Sequence, residues 1–197
     1  MDKAQLTINE IDTTCLSADQ LIQYHRTQTD LLIYQAEYMQ GTQYGTEYVQ
    51  RLVDLRRSIT GIAVAHDNVN YQITLAECMA DNGQHDQAIA MLSNLLRNYH
   101  SGERIYSIIT STMSFHYSQL GDKGHQMQYL IKSAESDLEG CIRENTSLRA
   151  IADRLFDEGD IDRAYRYMRA AVDDANFYGT RLRNIQASRI VPKILSA

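Results

Sequence analysis

The chain is 197 residues long, 44% apolar and 22% charged, which is ordinary for a soluble globular protein with a substantial core. A formal charge of −6 and a pI near 5.5 argue against nucleic acid as a direct partner, because phosphate binding needs a clustered positive surface. One proline and ten glycines leave little room for long irregular linkers, and no apolar run approaches the roughly 20 residues that span a bilayer.

Met1 to Leu16 shows weak periodicity and is expected to be partly extended or frayed. Ser17 is placed to cap a helix running through Leu21, Tyr24, Leu31 and Tyr34 to about Met39. A turn follows at Gly41 to Thr46, and Tyr48, Leu52, Leu55, Ile59 and Ile62 mark a second helix ending near Ala65. The two form a divergent N-terminal hairpin over residues 17–66, with Gly45 in its turn. Clearer hairpins are expected over residues 67–99, 101–138 and 145–175. A last helix over 177–195, kinked or ended by Pro192, would cover the apolar end of the stack, giving one helical-repeat domain over 1–197.

The hairpins are written to a common period. Leu148, Ile151, Ala152 and Leu155 form one amphipathic stripe; Ile161, Ala164, Tyr165, Met168 and Ala171 form another. Gly159 and Asp160 stand between them as helix end and helix cap. Steps of 38 residues lead from Gly159 to Gly121 and Gly83, and from Ala152 to Ser114 and Ala76. Leu155, Tyr117 and Met79 keep the same register, as do Met168, Leu130 and Leu92; Ala164 and Ala88 match, with Gln126 interrupting. Small residues suit close helix crossings and large apolar ones suit mutual burial, so the pattern predicts an all-α superhelix of stacked antiparallel hairpins.

Leu75-Ala76, Met79, Gly83, Ala88, Leu92 and Leu95, and again Ile151-Ala152, Leu155, Gly159, Ala164, Met168 and Ala171, resemble the tetratricopeptide repeat pattern. The period here is 38, where that repeat usually has about 34, and His100, Leu138 and Asn176 stand where a closing proline is common. The runs EGDIDRAYRYM and DDANFYGTRLRNIQASRI, followed by Pro192, are similar to the repeat region of a bacterial family of membrane-anchored transcriptional regulators. That resemblance implies a signal peptide, an extracytoplasmic repeat region, one membrane helix, and a cytoplasmic coiled coil with a helix-turn-helix, of which this chain contains the repeat region. It places the chain on the extracytoplasmic, periplasmic side; a chain complete as given would be cytoplasmic.

The residues hold no HExxH, GxSxG, Walker or GxGxxG motif. The neighbours His66-Asp67 and His85-Asp86 point in different directions on a helix, and His116 with His125, straddling Gly121, lacks a third ligand for zinc. No metal, cofactor or catalytic residue is therefore assigned. Cys15, Cys78 and Cys141 are expected to be small buried hydrophobes. The stretch from Tyr178 carries Arg181, Arg183, Arg189 and Lys193 and no Asp or Glu; it is either a solvated face or a membrane-proximal or partner-binding one.

Function is then assigned to the repeat surface, where the first helix of each hairpin lines the concave side that holds a protein or peptide partner. The outward positions are Asn70, Ile73, Thr74, Glu77 and Asp81, then Ile108, Ser111, Thr112, Phe115 and Gln119, then Arg149, Asp153 and Phe156. Phe115 and Phe156 are either partner anchors or core residues between repeats. Three readings follow: an extracytoplasmic interaction and sensing module, a free-standing cytoplasmic scaffold, and, least supported, an all-α enzyme.

Overall fold

The computed structural model describes residues 2–62, 68–143 and 146–177, and the described residues form helices, turns and links with no strand. The helices are α1 (Asp2–Asn9), α2 (Ala18–Tyr38), α3 (Gln43–Thr60), α4 (Val69–Asp81), α5 (His85–Leu96), α6 (Arg104–Gln119), α7 (Lys123–Glu139), α8 (Thr146–Asp157) and α9 (Ile161–Phe177). The chain divides into two compact units, Met1–Met91 and Leu92–Ala197, with the boundary inside α5. The last helix expected over 177–195 lies outside the described residues except for Phe177, which ends α9.

The start of the first unit corrects the expectation of an extended or frayed segment. Residues 2–9 are helical because α1 packs on α2 and buries Ile8. A short 3-10 turn, Thr13–Cys15, follows, capped by Asp12, whose carboxylate accepts from the N–H and the hydroxyl of Thr14 at 3.0 and 2.7 Å. Ser17 caps α2 reciprocally: its hydroxyl accepts from the Gln20 N–H, and the Gln20 side chain accepts from the Ser17 N–H. A four-residue link turns the chain back, so α2 and α3 pack antiparallel, and α4 packs on both. Ile22, Leu31, Leu32, Leu52, Ile59, Ile73, Ala76 and Ala88, with Ile8, form the buried apolar set of this unit among the described residues.

Gly45 is not in the first turn. Thr42 starts α3 earlier than expected by accepting from the Gly45 N–H, and the left-handed turn residue is Gly41, with φ 84°. Gly45 sits buried in the first turn of α3, where a Cβ would lie 2.6 Å from the Met39 carbonyl oxygen. It serves close backbone approach and not the reversal itself.

The three later turns follow the 38-residue register. Gly83, Gly121 and Gly159 have φ of 73°, 75° and 83°. Each lies between the same two hydrogen bonds: Gln84, Asp122 and Asp160 donate to the carbonyls of Met79, Tyr117 and Leu155, and the glycines donate to Ala80, Ser118 and Phe156. This paired closure of a helix end needs the left-handed conformation. The register positions around it are buried as the period requires: Ala76, Ser114 and Ala152 at the small sites, Leu92, Leu130 and Met168 at the large ones. In the second unit α6 pairs with α7, α7 with α8, and α8 with α9. Leu130, Ala134, Ile151, Ala152, Leu155, Ala164 and Met168 form its core cluster.

The link between α7 and α8 repeats the paired closure without glycine: Ile142 donates to the Asp137 carbonyl and Cys141 to that of Leu138, with Cys141 at φ 54°. Nothing lies within 4 Å of a Cβ built on Gly121, so substitution there meets only the torsional penalty. Gly121→Ala is expected to lower stability by about 1–2 kcal/mol, and Cys141→Gly to leave it unchanged or raise it by up to about 1 kcal/mol. Urea midpoints at constant slope check both.

Asp122 and Asp160 cap α7 and α9, accepting from the N–H groups of His125 (3.0 Å) and Arg163 (3.1 Å). Those backbone bonds, with the His125 and Arg163 side chains, hold both carboxyls below the ordinary aspartate value, and the Thr14 hydroxyl and N–H do the same for Asp12. A carboxyl lowered in the folded state contributes stability above its unfolded value of about 3.9 and loses it as pH falls through the lower folded value. Stability should therefore drop on acidification below about pH 4, and less steeply in an Asp122→Asn variant, as thermal melts at stepped pH would show.

Candidate partner-binding site

The outward strip expected on the first helices meets different fates in the two units. In the first unit, α4 turns it towards α2 and α3. Asn70 donates to the Gln23 side chain at 3.2 Å, and Arg26 donates to the Thr74 hydroxyl at 2.8 Å. Glu77 pairs with Arg26 at 3.7 Å and with Arg56 at 3.2 Å, and Arg56 also reaches Asp81 at 3.2 Å. Ile73 and Thr74, expected to face outward, are fully buried. Arginines from two neighbouring helices thus clamp this face of α4. Burial raises the Asp81 carboxyl above its ordinary value, against the lowering effect of Arg56.

In the second unit the corresponding strip is open. The buried face of α6 is made by Ser107, Ile109, Thr110, Met113, Ser114 and His116. The other side carries Ile108, Ser111 and Thr112, half-buried, and Phe115 and Gln119, exposed. Phe115 leaves 50% of its surface in solvent. On α8, Arg149 pairs with Asp153 at 3.5 Å, one helical turn apart. Phe156 packs against the core cluster of Leu130, Ile151 and their neighbours. The two phenylalanines therefore separate: Phe115 stands half in solvent, and Phe156 is partly buried against the core cluster.

The strip begins at a small polar pocket of about 80 Å³ between the starts of α6 and α8, walled by the second half of α7. Arg104, Ser107, Ile108 and Ser111 contribute from α6, Ser133 and Asp137 from α7, and Ile142 and Thr146 complete it. The hydroxyl protons of three of its serines are committed inward. Ser107 donates to the Arg104 carbonyl, Ser111 to that of Ile108, and Ser133 to that of Ser107, each at 2.9 Å. Ser147, behind the pocket, donates to the Ser133 hydroxyl at 2.8 Å. Asp137 is 6% exposed. Of the pocket only Ile108 and Ser111 belong to the outward positions expected from the register. The signal for the rest was the run of serines and Asp137 at inward positions of α7, where a purely apolar stripe would have been unremarkable.

Other groups have structural surroundings. His125 is bound to Asp122 at 2.6 Å and stacks on Tyr117 with ring centroids 4.8 Å apart, while His116 is fully buried. Among the described residues no cluster of three His, Cys, Asp or Glu side chains has metal-binding geometry. The cysteines correct the expectation of burial. Cys15 and Cys141 are exposed, the first in the polar turn capped by Asp12 and the second in the left-handed link after α7. Cys78 is half-buried beside a cavity of about 220 Å³ between α3 and α4. Burial, reinforced by Asp81, pushes its thiol up to about 11, which disfavours the reactive thiolate. No helix among the described residues is long and apolar enough to cross a membrane.

Helix pairs closed by equivalent left-handed turns, with a common register of burial, define a helical-repeat protein of the tetratricopeptide type. The model of the family described as the SusR N-terminal TPR domain matches residues 2–189, and the chain belongs to that family. No curated protein and no solved structure matches it. Membership makes the chain a tetratricopeptide module of the protein-interaction kind.

The clamp on α4 is testable by stability. Arg56 joins Glu77 and Asp81, whose side chains are only 18% and 19% exposed. Arg56→Met should cost about 2 kcal/mol, because it leaves covered carboxylates without their shared cation. Adding Glu77→Gln should restore part of that loss, a coupling that a double-mutant cycle on urea midpoints would measure.

Proposed function

We propose that this chain is a non-catalytic interaction and sensing module, the extracytoplasmic repeat region of a membrane-anchored transcriptional regulator. A partner engages the open strip of the second unit, and its binding biases a signal passed onward through the C-terminal end of the module. The observation that carries the reading is Phe115: a phenylalanine half in solvent, on the same face of α6 as Ser111 and Gln119, whose covering by a partner would remove apolar area from water. Arg149 and Asp153 add a polar flank. The strip thus combines an aromatic anchor with charged neighbours, the make-up of a hot spot for a protein or peptide segment. The family's description as an N-terminal domain is in keeping with a larger protein around the module, and the regulator reading rests on the resemblance of residues 143–194 to membrane-anchored regulators. Nothing in the module's net charge favours direct contact with nucleic acid.

Two measurements test this. A displayed library of 12-residue peptides selected on the chain should yield binders whose affinity falls about tenfold or more with Phe115→Ala and less with Gln119→Ala or Arg149→Ala. Retained binding by all three variants would remove the strip from the function. The exposed thiols of Cys15 and Cys141 should be labelled by a membrane-impermeant maleimide on spheroplasts expressing the full-length gene product. Labelling only after lysis would favour a cytoplasmic scaffold.

A further inference from the structure

The solvent side of α7 departs from its counterparts in the other repeats. Leu130, Ser133, Ala134, Ser136 and Asp137 make the buried side of this helix. Ile131 and Leu138, about two turns apart and so on one line of the helix, leave 41% and 62% of their surface in solvent. Steps of 38 residues from Ile131 reach Ser93 and Arg169, and from Leu138 they reach His100 and Asn176. The stacking of hairpins therefore does not call for apolar residues at these outer positions. Charged groups stand beside the apolar line. Lys132 lies over the Tyr129 ring, 4.8 Å from its centroid, and its ammonium makes no hydrogen bond among the described residues. Contact with a ring face consumes none of its N–H donors. Glu135 and Glu139 are exposed and make no ion pair among the described residues.

We propose that this face pairs two copies of the chain, α7 against α7, antiparallel about a two-fold axis. The pattern is complementary to itself in that direction. With Ile131 of one copy against Leu138 of the second, the two-fold repeats the same contact in reverse. An antiparallel pair brings the same flank of both helices together, so Lys132 comes level with position 137 of the second copy. It then stands midway between that copy's Glu135 and Glu139, each about 3 Å further along the axis. A parallel pair in register would instead set Lys132 on Lys132 and Glu135 on Glu135, like charges that repel. The apolar line supplies the attraction and the charges fix its direction. Because the carboxylates outnumber the ammonium groups, the pairing is reversible and sensitive to salt. It uses no residue of the strip around Phe115 and does not depend on that strip being a partner site.

Sedimentation equilibrium of the whole chain across a concentration series should show a reversible monomer–dimer equilibrium. Leu138→Glu and Ile131→Glu, both at exposed positions, should each raise the dimer dissociation constant about tenfold or more, with the far-UV dichroism of the dilute chain unchanged. Lys132→Glu alone, and Glu135→Lys with Glu139→Lys, should each weaken the homodimer, since every charge across the pair is then alike. A mixture of those two variants should rebuild the pair as a heterodimer, a rescue that a purely structural effect of either change would not give. Phe115→Ala should leave the equilibrium where it is, so the α7 pairing and the strip stand or fall separately. A chain that stays monomeric throughout the series would overturn the proposal, and so would a dimer indifferent to Leu138→Glu and Ile131→Glu. A dimer lost on those changes but not rebuilt in the mixture would overturn the antiparallel register.

Discussion

Everything in the architecture depends on one backbone constraint: a residue in the left-handed conformation at the end of each first helix. At Gly83, Gly121 and Gly159 it closes two hydrogen bonds to the carbonyls of the last turn and reverses the chain within three residues. A reversal this short holds the second helix against the first. The residues at the crossing must then be small, and Ala76, Ser114 and Ala152 are buried there. Asp122 and Asp160, next after the glycine, cap the returning helix, so one dipeptide both ends and starts a helix. Polar interactions reinforce the second unit: Ser136 accepts from the Gly102 N–H and donates to the Glu103 carbonyl, tying the end of α7 to the start of α6.

The same register is put to opposite uses in the two units. Glu77 of α4 and Phe115 of α6 are 38 residues apart and occupy equivalent positions. Glu77 is held by Arg26 and Arg56, whereas Phe115 stands in solvent. Long arginine side chains on α2 and α3 cover the α4 face and neutralise its carboxylates, which turns a potential binding strip into an internal interface. Beside α6 the space between the starts of the first helices stays open as the polar pocket, and the strip keeps a half-exposed aromatic ring and the Arg149–Asp153 pair. Repeat proteins allow this division of labour because each repeat is stabilised by its neighbours and its outer positions are free to diverge.

The all-α repeat architecture was legible from residues alone, because glycine, small and large apolar side chains recur at fixed spacing for reasons of backbone torsion and packing volume. The Ser17 and Asp160 caps were legible for the same local reason. Gly45 misled, since its spacing matched the turn register while its use was to let the Met39 carbonyl approach. The helical start also escaped, because α1 exists by packing on α2 and not by a strong stripe of its own. The cysteines were misjudged because their exposure follows from the turns that hold Cys15 and Cys141, not from the hydrophobicity of a thiol.

What the amino-acid order determined by itself is therefore local and periodic: where helices stop, which face of each is apolar, and that a single unit is reiterated, since these follow from torsional preference and side-chain size within a few turns of chain. Which outward strip is open, which of two phenylalanines meets solvent, and that serines from α6 and α7 enclose a polar pocket with Asp137 were decided only by tertiary packing. Burial and hydrogen-bond commitment at those positions depend on side chains that arrive from other helices, and no spacing along one helix encodes them.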